Sequence, residues 1–302
     1  MIWTPLSTTM PRGIVGSAGF KRRSQIDTFR AGSARNPSQR AGLFMKQRLV
    51  TGLLWGSLAI LTMIYIFSPL MGILISFFSA LAVFEIQRVA KVVNLPVRVV
   101  SLAVATAIPT LSEYHVFDRF NIPLTPVLVG YTILLLALML MQYEKTKFEH
   151  IAIVLFTSIA VPFALSTFML VRDVYDAYPG VFQKSQAFFL FFIGLSCAWI
   201  TDMFAYFVGS KLGKHKMAPK ISPKKSIEGA IGGIVCTIVF NALSLLIFSR
   251  FFDKPIFPFW VIVPVTIVLS VIGMLGDLSA SVIKRNYGEK DFGTLMKGHG
   301  GV

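Results

Sequence analysis

Apolar runs long enough to cross a bilayer recur along this chain from residue 49 to residue 278, and no other feature limits its possible folds as severely. The hydrocarbon core of a bilayer is about 30 Å thick, a distance that a helix covers in roughly 20 apolar residues. Backbone groups find no water there, so each run must satisfy its own hydrogen bonds as a helix. Eight runs qualify, over 49–67, 70–86, 97–111, 123–141, 150–171, 186–209, 228–249 and 258–278. The third is short and is interrupted by Pro109. The expected fold class is all-α, a polytopic transmembrane helical bundle. With 55% hydrophobic residues, a soluble domain is excluded. No period of 20–50 residues repeats, so 45–302 reads as one membrane domain behind an extension, 1–44.

The formal net charge of +15 sits in the loops, which points to membrane topology and to anionic lipid or nucleotide rather than to nucleic acid. With the N-terminus placed in the cytoplasm, 24 of the 29 Lys and Arg fall on that side. They are nine before the first span, Arg88, Lys91 and Arg98, Lys145 and Lys147, six lysines between 210 and 227, and Lys284, Arg285, Lys290 and Lys297. This asymmetry orients the chain and puts both polar, glycine-rich segments on the cytoplasmic side. Residues 1–44 are basic, Ser- and Gly-rich, with Asp27 as their one acid. They read as a disordered tail or an upstream start, as an organellar transit peptide, or as a lipid-binding arm. Cys197 and Cys236 lie inside apolar runs and read as small core residues.

Acids inside spans are costly and therefore informative. Asp202, Tyr206, Gly209 and Gly213 fall at i, i+4, i+7 and i+11, on one helix face. That face suits a satisfied buried acid, close helix packing or a substrate surface. Asp277, Ser281, Lys284 and Arg285 likewise share a face at the cytoplasmic end of the last run. A carboxylate there can hold a hard cation, and the flanking cations can take phosphate oxygens. The plainer reading is a helix end whose Lys and Arg reach the headgroups. Between 209 and 233 lie six lysines within fifteen residues, then a helix start with Ser226 as N-cap and Glu228 in the first turn. Gly209, Gly213 and Lys214 do not have P-loop spacing.

Two of these segments, taken together, resemble one family. Thr201-Asp202, Ala205-Tyr206, Gly209, Gly213-Lys214-His215-Lys216, Pro219, Ile221-Ser222-Pro223, Lys225-Ser226, Glu228-Gly229 and Gly232-Gly233 resemble a span-and-loop motif of the phosphatidate cytidylyltransferases, or CDP-diacylglycerol synthases. Gly276-Asp277, Ser281, Lys284-Arg285, Lys290-Asp291 and Gly298-His299-Gly300-Gly301 resemble that family's C-terminal signature. Lys224 stands where the family usually has Gly, and Ser226 where it usually has Thr. The family signature continues with Leu-Asp-Arg-x-Asp and a final helix. The resemblance therefore implies one further span, and an incomplete metal site in the chain as printed.

The resemblance implies transfer of a cytidylyl group from CTP to phosphatidic acid, giving CDP-diacylglycerol and pyrophosphate. It implies Asp277 as a ligand of Mg²⁺, with a second, monovalent or divalent, cation allowed. Asp277, Lys284, Arg285 and Asp202 would be catalytic. Lys214, Ser222, Lys225, Ser226, Ser281, Lys290 and His299 would bind phosphate or substrate. It further implies a homodimer in a bacterial plasma membrane, with the active site cytoplasmic and membrane lipid as partner. Two other readings stay open: a CTP-dependent polyprenol or phytol kinase, which would move the γ-phosphate, and a transporter whose Asp202 binds an ion.

Overall fold

The computed structural model describes residues 56–58, 60–251 and 257–293. They belong to one compact unit, Leu53–Val302. Among the described residues seven helices are long and apolar enough to cross a membrane: α1 Leu70–Val89, α2 Leu95–Glu113, α3 Leu124–Met141, α4 Phe148–Arg172, α5 Lys184–Leu212, α6 Ile227–Phe251 and α7 Phe259–Asn286. They match the second to eighth expected spans. The first, 49–67, lies partly outside the described residues, of which 56–58 and 60–64 are helical. Residues 1–44 lie wholly outside them.

The span interrupted by Pro109 holds together for a visible reason. Proline cannot donate to the carbonyl four residues earlier, here Ala105. Ser79 of α1 donates its hydroxyl to that carbonyl at 2.8 Å. The α2 start is equally local: Asn94 caps it by accepting from Val97 N–H at 3.2 Å, with Pro96 in the first turn.

The bundle has two parts. Helices α1, α2 and α4 pack mutually, with α3 leaning on α4 through Tyr131 and Leu135. Helices α5, α6 and α7 form the second group, and α5 also touches α4. Apolar clusters fill each group. Val97, Leu135 and Val154 lie in the first, and Phe189, Ile193, Leu245 and Ile262 in the second. Many large apolar side chains remain exposed on the outside, such as Ile73, Phe77, Val239 and Ile272, which suits a lipid-facing surface. Cys197 is buried in the second cluster, and Cys236 is half-buried; both are free thiols.

Small and hydroxyl residues hold the second group. Thr201 of α5 hydrogen-bonds both Thr237 of α6 and Ser270 of α7, each at 2.9 Å. Lower down, Ser196 donates to Asn241 at 2.6 Å, and Asn241 donates to Thr266 at 3.0 Å. Burial of hydroxyls is tolerated because each finds a partner on a neighbouring helix. Above this ladder α5 and α6 close up. A Cβ on Gly229 would stand 2.6 Å from the Ala205 carbonyl oxygen, and one on Gly233 would stand 2.7 Å from that of Thr201. Glycine at i and i+4 of α6 is what allows this approach.

The region between α5 and α6, expected as a lysine-rich loop, contains the one sheet among the described residues. It is an antiparallel hairpin, β1 Lys216–Ala218 and β2 Ser222–Ser226, paired at Lys216 with Ser226 and at Ala218 with Ser222. After α7 the chain turns back over the first group. Gly288 takes φ +72°, which favours glycine, and Tyr287 packs on the cluster that contains Ala90 and Val92. Gly293 lies directly against the buried Glu85 of α1.

Candidate active site

The close approach of α5 and α6 decides where the polar side chains meet. Ser226 ends β2 and caps α6 by accepting from Gly229 N–H at 3.2 Å, the role its sequence position suggests. Two positions on, Glu228 accepts from the backbone N–H groups of Lys214 and His215 at 3.1 Å and also bonds His215 Nδ1. The carboxylate thus ties the start of the hairpin to the α6 N-terminus, where a negative charge also suits the helix dipole. At its tip, Arg285 of α7 donates to the Ile221 carbonyl at 3.3 Å and to that of Glu289 at 3.2 Å. The hairpin is held from both ends.

So anchored, it roofs a cavity of about 300 Å³. The lining combines Asp202, Ala205 and Tyr206 of α5, Ser222, Lys224 and Lys225 of β2, and Met274 and Asp277 of α7, with Met217, Ser226 and Ala230 completing it. Lys225 and Asp277 form an ion pair across it. Asp202 lies within electrostatic reach of both. Lys225 and Asp277 keep 26% and 45% of their side-chain surface exposed, so either charge can exchange partners with an incoming ligand.

Five of the expected site residues therefore come together: Asp202, Asp277, Ser222, Lys225 and Ser226. The other expected residues that are described do not line this cavity. Lys214 is exposed and contributes its backbone N–H to Glu228. Ser281 is buried within the bundle. Lys284 sits over the Phe292 ring, 5.1 Å from its centroid. Lys290 lines a second polar cavity with Arg88, Glu289 and Asp291. Arg285 faces the hairpin tip, as described. His299 lies outside the described residues. Met217, Met274 and Lys224 escaped selection as site residues. Met274 in an apolar run and Met217 among lysines carry no sequence signal of a cavity, whereas Lys224 was visible as a departure from the family pattern.

A bound divalent cation is compatible with this arrangement. Among the described residues no group of three or more His, Cys, Asp and Glu could hold a metal. Two carboxylates do face one cavity, and Mg²⁺ is commonly held by one or two carboxylates completed by water and substrate phosphates.

Comparison with known proteins agrees with this chemistry. The profile of the cytidylyltransferase family matches residues 46–302. A phosphatidate cytidylyltransferase of Bacillus subtilis strain 168 is 32% identical over 262 residues, covering 85% of this chain and 91% of the relative. Proteins of the same name from two staphylococci match shorter stretches. That of Staphylococcus haemolyticus is 45% identical over 104 residues, 34% of this chain and 38% of its own. That of Staphylococcus saprophyticus is 39% identical over 119 residues, 39% of this chain and 44% of its own.

Proposed function

The chain belongs to the cytidylyltransferase family, and from that premise we propose that it is a multi-pass membrane enzyme transferring a cytidylyl group from CTP to phosphatidate. A phosphatidate oxygen attacks the α-phosphorus of CTP, the α–β anhydride bond breaks, and CDP-diacylglycerol and pyrophosphate leave. The observation that carries this reading is the convergence of Lys225, Asp277 and Asp202, from three separate elements, on one open cavity.

The chemistry requires two polyanions to be brought together, so positioning and charge neutralisation dominate. Asp277 and Asp202 would hold Mg²⁺, which when bound neutralises charge on the triphosphate. Lys225, released from Asp277, would take a phosphate oxygen by a charge-assisted hydrogen bond. Lys224, on the same strand, adds a second cation at the rim. Ser222 offers a hydroxyl to phosphate, and Ser226 orders the strand end. Arg285 and Glu228 act by holding the hairpin, and Lys284 and Lys290 add positive potential nearby. The excess of Lys and Arg in its loops supports a cytoplasmic position for this end of the bundle, where CTP is. A homodimer in a bacterial plasma membrane is the expected setting.

The test is product analysis. Membranes containing the protein, expressed from its own gene, are supplied with CTP and radiolabelled phosphatidate. Labelled CDP-diacylglycerol with stoichiometric pyrophosphate is the expected result. Release of CDP would identify a kinase instead, and ion uptake without lipid conversion would identify a transporter.

A further inference from the structure

We propose that one acyl chain of the lipid substrate lies in an apolar groove on the flank of α5, directly below the polar cavity. This rests on the phosphatidate reading and adds to it where the lipid's tail goes.

The groove is a cavity of about 180 Å³ between α1, α4, α5 and the helical residues before α1. Its walls include Leu74, Phe78, Leu165, Phe168, Leu195 and Trp199. The single hydroxyl in the lining, that of Thr62, donates to Leu58 O of its own helix at 2.8 Å. Apart from the indole N–H of Trp199 at its upper end, the walls offer no free hydroxyl, amide or charged side chain to a headgroup, and a polar group placed deeper would lose its hydrogen bonds. A hydrocarbon chain loses nothing.

Position ties this groove to the cavity above it. At 3.6 residues per turn, Phe191, Leu195, Trp199, Asp202 and Tyr206 fall within about a quarter turn of one another on α5. The first three line the groove and the last two line the polar cavity. Along that strip Trp199 is 50% exposed and Tyr206 is 68% exposed, so the helix surface between the two spaces is open to the side. From Asp202 to Phe191 the helix rises about 16 Å. Half of a bilayer's hydrocarbon core, the depth one acyl chain spans, is about 15 Å. A lipid with its phosphate at Lys225 thus has its glycerol beside Tyr206 and Trp199 and one chain in the groove. The amphipathic indole of Trp199 suits that boundary.

Two measurements test this. In the first, Leu195→Trp fills the groove while every polar residue of the cavity is kept. The KM for dioleoyl phosphatidate should rise about tenfold, with kcat, the KM for CTP and the KM for dihexanoyl phosphatidate unchanged. Equal effects on the long and short lipids, or none on either, would overturn the proposal. In the second, the unaltered protein is irradiated with phosphatidate carrying a diazirine at the end of one chain. Label should appear on α1 and α4 peptides containing Leu74 and Leu165, and unlabelled phosphatidate should compete it away. Equal labelling by a matching phosphatidylcholine, insensitive to phosphatidate, would mean that ambient lipid fills the groove, and would end the idea even if the variant fails to fold. If the unaltered protein makes no CDP-diacylglycerol in the same assay, the activity reading itself falls.

Discussion

Two charge clusters in this molecule share one recipe, a single cation with two carboxylates, and do opposite things. Where α2 and α4 end, Arg172 donates to both oxygens of Glu113 at 3.0 Å and to Asp173 at 2.6 and 2.7 Å. Arg172 is 5% exposed, and Glu113 packs against Gly72 of α1. At the other end of the helices, Lys225 pairs with Asp277 beside Asp202, on the wall of an open cavity. In the first cluster a planar guanidinium, its side chain 6% exposed, is committed to bidentate partners on both sides. In the second a flexible ammonium makes one partly exposed pair that a phosphate can replace. Charge composition does not separate a closed clamp from a pair open to a ligand. Access and exchangeability do.

The sharpest way to break that contrast is to remove each cluster's partner in turn. Arg172→Met should lower stability by about 3 kcal/mol, because the Glu113 carboxylate, with 8% of its side chain exposed, is left without its cation. Thermal unfolding in detergent reads this, and activity well below the melting temperature should persist. Asp277→Asn should do the reverse. The rate of CDP-diacylglycerol formation should fall by at least about 10²-fold, as when a group aimed at reacting charge is lost. The melting temperature should barely move, since partly exposed pairs contribute at most about 1 kcal/mol. If Asp277→Asn unfolds the protein while retaining specific activity, the two assignments are interchanged.

Smaller effects sharpen the comparison between the two helix groups. Gly233→Val places a side chain against the Thr201 carbonyl and should cost about 1–3 kcal/mol by overpacking. Gly130→Ala, on α3 with open space around it, should be neutral or stabilising by up to about 1 kcal/mol. Thr237→Val removes one hydroxyl from the buried ladder and should cost about 0.6 kcal/mol, the usual size of an interhelical hydrogen bond in a membrane. Equal responses at Gly233 and Gly130 would show that the close contact of α5 with α6 is not what positions the site.

Much of the bundle was legible in the chain. Seven helices coincide with expected runs, most ends differing by a few residues. The last differs most: the 258–278 run continues as helix to Asn286, because Ser281, Lys284 and Arg285 are polar yet still helical. Hydropathy registers only the membrane-embedded part of such a helix. The hairpin was not legible. Lys216–Ala218 and Ser222–Ser226 lack alternating apolar residues, and Pro223 disfavours a central strand. Contacts from Glu228 and Arg285, which neither strand's composition reveals, hold it in place. Arg285 illustrates the same difficulty. Its position beside Lys284 suggested a phosphate ligand, yet its guanidinium reaches the backbone of Ile221, 64 residues away in sequence.

The sequence by itself determined that the chain crosses a membrane repeatedly, where the crossings lie and which residue types were available for phosphate chemistry. Those properties are local, since a helix in hydrocarbon satisfies its backbone within its own turns. Only the tertiary structure decided which charges line an open cavity and which are committed to each other. That outcome depends on how nearly two helices can approach, here through Gly229 and Gly233, and on side chains far apart in sequence converging on one space.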